Sequence, residues 1–175
     1  GVAGSTFSDW WAYKFEVNDA IPYNAALMNE KGIVVAINSD DAEMGRRLNQ
    51  EAAKAVKYGN VSEEDALKMV TLNPAKMLHL DSMMGSIKVG KDADVVIWSG
   101  HPLSIYSKVE KTFIDGICYY DAEKNEIINK QIQAERIRLI NKMIEAKKNG
   151  EATQSAKPNK KPHYHCDGYE IDEDY

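Results

Sequence analysis

Three short stretches carry residues whose types and spacing could do chemistry. "GSIKVGKDAD", Gly85 to Asp94, has the G-x-x-x-x-G-K spacing of a phosphate-cradling loop. "NSDD", Asn38 to Asp41, closes an apolar run with adjacent carboxylates, Asp40 and Asp41. "HYHCD", His163 to Asp167, gathers imidazole, thiol and carboxylate groups within one short reach. The chemistries differ: a grip on phosphate, proton transfer or metal ligation by a carboxylate, and capture of a borderline metal ion.

The first stretch fails on its surroundings. A phosphate loop follows a strand and opens a helix, so that backbone N–H groups point at the anion, and a Ser or Thr after the Lys holds magnesium. Here the helical "SEEDALKMVTLNPAKMLHL" comes before and the strand-like "ADVVIWSG" comes after. Asp92 stands at the Ser/Thr position, where its charge would repel phosphate. Gly85 and Gly90 read instead as a turn into a strand. Asp40 or Asp41 could cap the helix that follows, or one of them could bind a cation. The HYHCD set reads first as part of a polar tail that binds metal adventitiously. His79, on a helix, and His101, in the loop "SGHPL", stand apart from it. The aromatic set "FSDWWAYKF" could line a pocket or pack as cover, and Asp9 and Lys14 within it could contact a substrate.

These residues need elements to hold them. Gly32 opens an apolar run from Ile33 to Ile37, which predicts a strand buried on both faces. Met44, Leu48, Ala52 and Val56 recur every fourth residue and predict one helix ending at Gly59. Ser62 with Asp65 resembles a capping box, and Asn73 before Pro74 predicts another helix start. After Gly85 the texture becomes antiparallel β, with a hairpin at Asp115-Gly116 and Cys118 expected as a small buried hydrophobe. Glu123 to Asn149 predicts one long helix, with Ile128, Ile132, Ile137, Ile140, Met143 and Ile144 as its apolar stripe.

Composition narrows the class. The chain has 175 residues, enough for a real core, and its net charge of -5 argues against nucleic acid and anionic membranes as partners. No apolar run approaches a membrane span. Two cysteines are too few for a disulfide framework. The chain starts at Gly1, and "GVAGSTFSDWW" is no signal peptide, so a piece of a longer protein is the expectation. The compartment, cytoplasm or periplasm, is left open.

"LNPAKMLHLDSMMGSIKVGKDADVVIWSGHPL", followed by a hairpin ending "FIDGICYYD", resembles the C-terminal portion of the amidohydrolase superfamily, on its imidazolonepropionase-like branch. In that family N-P-A, then G-x-I-x-x-G-x-x-A-D, marks the passage from the last barrel helices into a small β-sandwich. The resemblance implies an α/β fold. Specifically, it implies the C-terminal part of a (β/α)8 TIM barrel, about strands 7 and 8 with the helices that follow, plus part of a sandwich and a long C-terminal helix. The expected division is barrel over 1–80, sandwich over 81–121, long helix over 122–150 and a disordered acidic tail over 151–175.

The resemblance also implies a function. Its enzymes hydrolyse amide, lactam and related C–N bonds of small-molecule substrates, using zinc or another divalent metal. "VVAINSD" matches strand 8, so Asp40 corresponds to the family's metal-binding and proton-accepting aspartate, and Asp41 to a cap. A carboxylate at the C-terminal end of a barrel strand lies on the face where barrel active sites form. There it can bind the metal and take a proton from the attacking water, then pass it to the leaving nitrogen. The family's H-x-H, its Lys and its strand-borne His ligands have no counterpart in this sequence. The isolated chain is therefore expected to bind no metal and to be inactive. Open strand edges predict self-association as a homo-oligomer. The alternative is a non-catalytic interaction or scaffold module derived from the same family.

Overall fold

A computed structural model describes residues 2–154, 164–165 and 168–169. It divides into two units, Gly1–Tyr120 and Asp121–Tyr175.

In the first unit, β1 (Ala3–Thr6) and β2 (Val34–Ile37) run parallel, with Ala3 opposite Val34 and Thr6 opposite Ile37. Parallel neighbours need a crossover, which α1 (Asn24–Glu30) supplies. The unbroken apolar run of β2 has its cause in burial on both faces: Val35 is 0% exposed, and Ala36 and Ile37 are also buried. Val34 and Asn38 send their N–H groups to Val2 and Thr6 on the β1 side. The opposite edge of β2 is also occupied. There Ile37 N–H donates to the Met69 carbonyl at 3.0 Å, and Asn73 Nδ2 donates to the Val35 carbonyl at 2.8 Å.

The predicted single helix over Met44 to Val56 is two. α2 (Ala42–Gly45) is one turn, and α3 (Leu48–Gly59) follows after Arg47 leaves helical geometry at φ -134, ψ 33. α3 buries Ala52 and Ala55 against Val35, Ile37, Met69 and Leu103, which form the core with Ala25, Val61 and Ala66. Small side chains on this face let the helices approach closely. A Cβ added at Gly59 would stand 2.1 Å from Ala26 Cβ. The left-handed residue that ends α3 is Asn60, one beyond Gly59, at φ 55.

α4 (Glu63–Lys68) starts as a capping box should: Asp65 N–H donates to Ser62 Oγ at 3.1 Å. α5 (Leu72–Met77) begins before Asn73, with Thr71 at the cap position. Asn73 is therefore no cap. Its amide is engaged by the β2 edge, where an open carbonyl in the core would be costly.

Beyond α5, Lys91 answers the question posed by the G-x-x-x-x-G-K spacing. Its Nζ donates to the carbonyl of Met84 at 3.1 Å, to Ser86 Oγ at 2.8 Å and to the Asp81 carbonyl. It closes a loop rather than facing an anion. Gly85 has φ +83, and a Cβ there would lie 2.6 Å from Ala75 Cβ, so both the conformation and the close approach require glycine.

β3 (Val95–Trp98), β4 (Val109–Ile114) and β5 (Ile117–Asp121) form a three-stranded sheet in that order. The β4–β5 turn has positive φ at Asp115 and Gly116, 51 and 77, as a two-residue hairpin loop needs. Asp94 Oδ1 accepts from Asp115 N–H at 3.0 Å, tying this turn to the start of β3. Cys118 is exposed rather than buried, because it lies on the edge strand, whose residues Ile117 to Tyr120 are all exposed.

In the second unit, α6 (Ala122–Lys148) is capped by Asp121 Oδ1, which accepts from Glu123 and Lys124 N–H groups at 3.1 and 3.3 Å. None of its residues is buried. The six stripe residues are 41–59% exposed. At about 100° per residue, Ile128, Ile132 and Met143 share one side, while Ile137, Ile140 and Ile144 lie on the adjoining one. The apolar surface is thus a broad half-cylinder, not a narrow stripe. β6 (Tyr164–His165) and β7 (Gly168–Tyr169) pair antiparallel. The expectation of a disordered tail, and the ligand set His163, Cys166 and Asp167 within it, falls largely outside the described residues.

Candidate functional site

Two parallel strands release their loops at the same end. Thr6 and Ile37 are partners in the register, so Phe7–Asp9 and Asn38–Asp41 emerge side by side. Asn38 binds this end together: its N–H donates to the Thr6 carbonyl at 3.1 Å and its Nδ2 to Ser5 Oγ at 2.6 Å. Asn38 Oδ1 is buried and has no hydrogen-bond partner among the described residues. Unsatisfied buried acceptors are rare.

The two adjacent aspartates separate cleanly. Asp41 is the helix cap, accepting at Oδ1 from Glu43 N–H at 2.9 Å and Met44 N–H at 2.8 Å. Asp40 is exposed and sits in the left-handed region at φ 49. That conformation is uncommon for a residue with a side chain, and Asp and Asn tolerate it best. It kinks the chain between strand and cap, leaving Asp40 at the strand's mouth while Asp41 turns to the helix.

A second polar group beside this end escaped the sequence reading. Ser8 and Glu51 are buried, 5% and 4% exposed. The Ser8 hydroxyl donates to Glu51 Oε2. Lys54 Nζ donates to Glu51 Oε2 and to Asp9 Oδ1, both at 2.9 Å, and to Ser8 Oγ at 3.3 Å. Burial pushes the Lys54 ammonium toward a lower pKa, but its bonds to Glu51 and Asp9 outweigh that and raise it. The network clamps the loop after β1 to α3. Asp9, weighed from sequence as a substrate contact, accepts a hydrogen bond from Lys54. The legible signal was Glu51 and Lys54 at i, i+3 on a helix otherwise lined with alanine.

The remaining candidates do not converge here. His101 Nε2 lies 3.4 Å from Glu63 Oε2. His79, at φ 59, follows the end of α5. A cleft of about 820 Å³ runs between α3 and residues 101–105, bordered by Arg47, Lys54, His101 and Leu103, and Asp40 does not line it. Among the described residues, no group of three or more His, Cys, Asp or Glu stands close enough to hold a metal ion. A zinc centre takes at least three protein ligands. The donors among the described residues do not make up a complete metal site.

Comparison with known proteins bears on the same segment. The profile of the amidohydrolase family matches residues 23–129. The imidazolonepropionase of Picrophilus torridus is 38% identical over 106 residues, covering 56% of this chain and 27% of that protein. The amidohydrolase tasK of Hapsidospora irregularis is 32% identical over 116 residues, 66% of this chain and 12% of its own length. A crystal structure of an amidohydrolase from Thermotoga maritima matches with a TM-score of 0.58 at 39% identity, covering 66% of this chain and 29% of that one. The chain therefore spans less than a third of the length of each of these relatives.

Proposed function

We infer that this chain, which belongs to the amidohydrolase family, is the C-terminal part of a metal-dependent hydrolase that cleaves C–N bonds of small molecules. The observation that carries this reading is Asp40: an exposed carboxylate at the exit of a buried parallel strand, inside the segment that the family profile matches. β1 and β2 then stand as the last two strands of a (β/α)8 barrel. The sheet β3–β5 stands as part of a sandwich, and 1–80, 81–121 and 122–150 as barrel, sandwich and appended helix.

In this reading Asp40 would be one ligand of a divalent metal, zinc in the resemblance, and its other ligands would come from a part of the protein outside these 175 residues. Such a metal supplies Lewis acidity and a nucleophile at neutral pH. This chain's own residues contribute the rest. Asp40 accepts a proton on its carboxylate and delivers it to the leaving nitrogen. Asp41 fixes the turn that presents Asp40, and Asn38 holds the two strand ends together. Amide, lactam and cyclic amidine-type bonds share this proton requirement. Similarity to an imidazolonepropionase favours a small cyclic or acyl substrate over a polymer.

The test is the longer protein. Its upstream sequence is expected to hold an H-x-H after an early strand, and finding none would remove the catalytic claim. In that protein Asp40→Asn is expected to lower turnover by about 10²–10⁴-fold and to weaken zinc retention. Unchanged turnover would contradict the assignment.

A second reading has its own observation. α6 exposes Ile137, Leu139 and Ile140 and buries none of its residues. A family member that has become a non-catalytic interaction module would carry such a surface. Zinc content and hydrolysis of an N-acyl or lactam substrate by the longer protein separate the two readings.

A further inference from the structure

We propose that α6 pairs with α6 of a second copy of this chain, the two helices antiparallel and centred on Glu135–Arg136. Such pairing would serve the hydrolase and the interaction module alike, so it stands apart from both. The helix runs for 27 residues and buries none of them. Helices take most of their stability from packing an apolar face, and α6 has one to pack. Ile128, Ile132, Leu139 and Met143 fall within about 60° of one another at about 100° per residue. They are 46–55% exposed.

The face fits its own copy. Its four residues are spaced symmetrically about a midpoint between Glu135 and Arg136. Turning a second helix end for end about that midpoint sets Ile132 against Leu139 and Ile128 against Met143. It also sets Glu135 against Arg136, so opposite charges meet at the centre. The Glu135 carboxylate is already fixed there, because Arg138 Nε and Nη2 of its own helix donate to its two oxygens, both at 2.7 Å. A shallow groove of about 580 Å³ lies at this centre, lined by Gln131, Ile132, Glu135, Arg136, Leu139 and Ile140.

Charge along the helix chooses the direction. Asp121 to Ala134 holds three acids and two bases, whereas Glu135 to Lys148 holds two acids and five bases. Antiparallel pairing lays the acidic half of each helix along the basic half of the other, and opposes the two helix dipoles. Parallel pairing would set the basic halves together. A helix of 27 residues is about 40 Å long and about 10–12 Å wide, which gives a contact of about 400–500 Å² per copy. That is the size of a weak, reversible interface. In dilute solution α6 is then a single helix that opens locally, and its amides gain protection as copies associate.

The experiment is analytical ultracentrifugation of the 175-residue chain over about 1–100 μM. A monomer–dimer equilibrium is expected. Ile132→Glu and Leu139→Glu should each raise the dissociation constant at least about 100-fold, because the dimer meets each change twice. Both positions are half exposed, so the urea midpoint of the first unit should stay where it is. Glu135→Arg and Arg136→Glu should each weaken the dimer, and the two together should restore most of it. Spin labels on Lys124→Cys, with Cys118 and Cys166 replaced by Ser, should lie about 35 Å apart across the antiparallel pair, against about 10 Å in a parallel one. A monomer at every concentration overturns the proposal and leaves the face to another partner. A dimer that persists in Ile132→Glu and Leu139→Glu overturns it in favour of pairing at strand edges. A short distance between the two labels overturns the antiparallel arrangement.

Discussion

Asp40 and Asp41 are chemically identical neighbours, and backbone geometry divides them. The cap accepts two N–H groups, so Asp41→Ala should cost about 1 kcal/mol of stability, read as a shift in urea midpoint. In the longer hydrolase proposed above its main effect should be on stability, whereas Asp40→Asn should act on turnover. The reverse pattern would exchange their roles. Lys54 sets a pH dependence. Its pKa is raised above 10.5, so its contribution is complete below the unfolded value and is lost as pH rises through the folded one. As pH rises above about 10.5 the wild type should lose more stability than Lys54→Met, measured by urea unfolding. An equal loss in both would show that the clamp does not couple to folding. The contrast between Lys54 and Lys91 is instructive. Lys91 stands in a spacing that suggests phosphate, yet it serves loop carbonyls. Lys54 stands in no motif, yet it joins two elements.

Elements explain why the family motif has the residues it has. N-P-A reads as a helix start, and Pro74 does lie in the first turn of α5. Asn73 instead reaches across to β2 and satisfies the Val35 carbonyl, on an edge that would otherwise present open groups to the core. Asn73→Ala should therefore cost about 1–3 kcal/mol, more than a lost surface cap, and show as a reduced denaturant midpoint. G-x-I-x-x-G-K-x-A-D is likewise a structural joint. Gly85 permits contact with Ala75, Lys91 closes the loop, and Asp94 holds the hairpin turn. Gly85→Ala should destabilise by more than 1 kcal/mol in the same assay, a rough figure combining left-handed strain with crowding. The break at Arg47 in the helical segment after β2 leaves no trace in the four-residue apolar repeat, because no glycine or proline marks it.

Across the whole molecule, the two units differ in what holds them. The first has a core whose Val35, Ala52, Ala66 and Met69 are 0% exposed, whereas α6 buries nothing. Hydrogen exchange should therefore find the β2 amides protected by orders of magnitude more than those of α6, since an isolated helix opens locally. Comparable protection would mean that α6 packs in solution. The local features were legible in the sequence because each is written in adjacent residues. The apolar run makes β2, Ser62 and Asp65 start α4, Asp115-Gly116 turns the hairpin, and Asp40 ends the strand. Tertiary structure alone decided that Asn73 serves a strand edge, that Cys118 is exposed, and that Ser8, Asp9, Glu51 and Lys54 meet. Those outcomes depend on contacts between residues far apart in the chain, and hydrophobic period and turn chemistry carry no record of such partners.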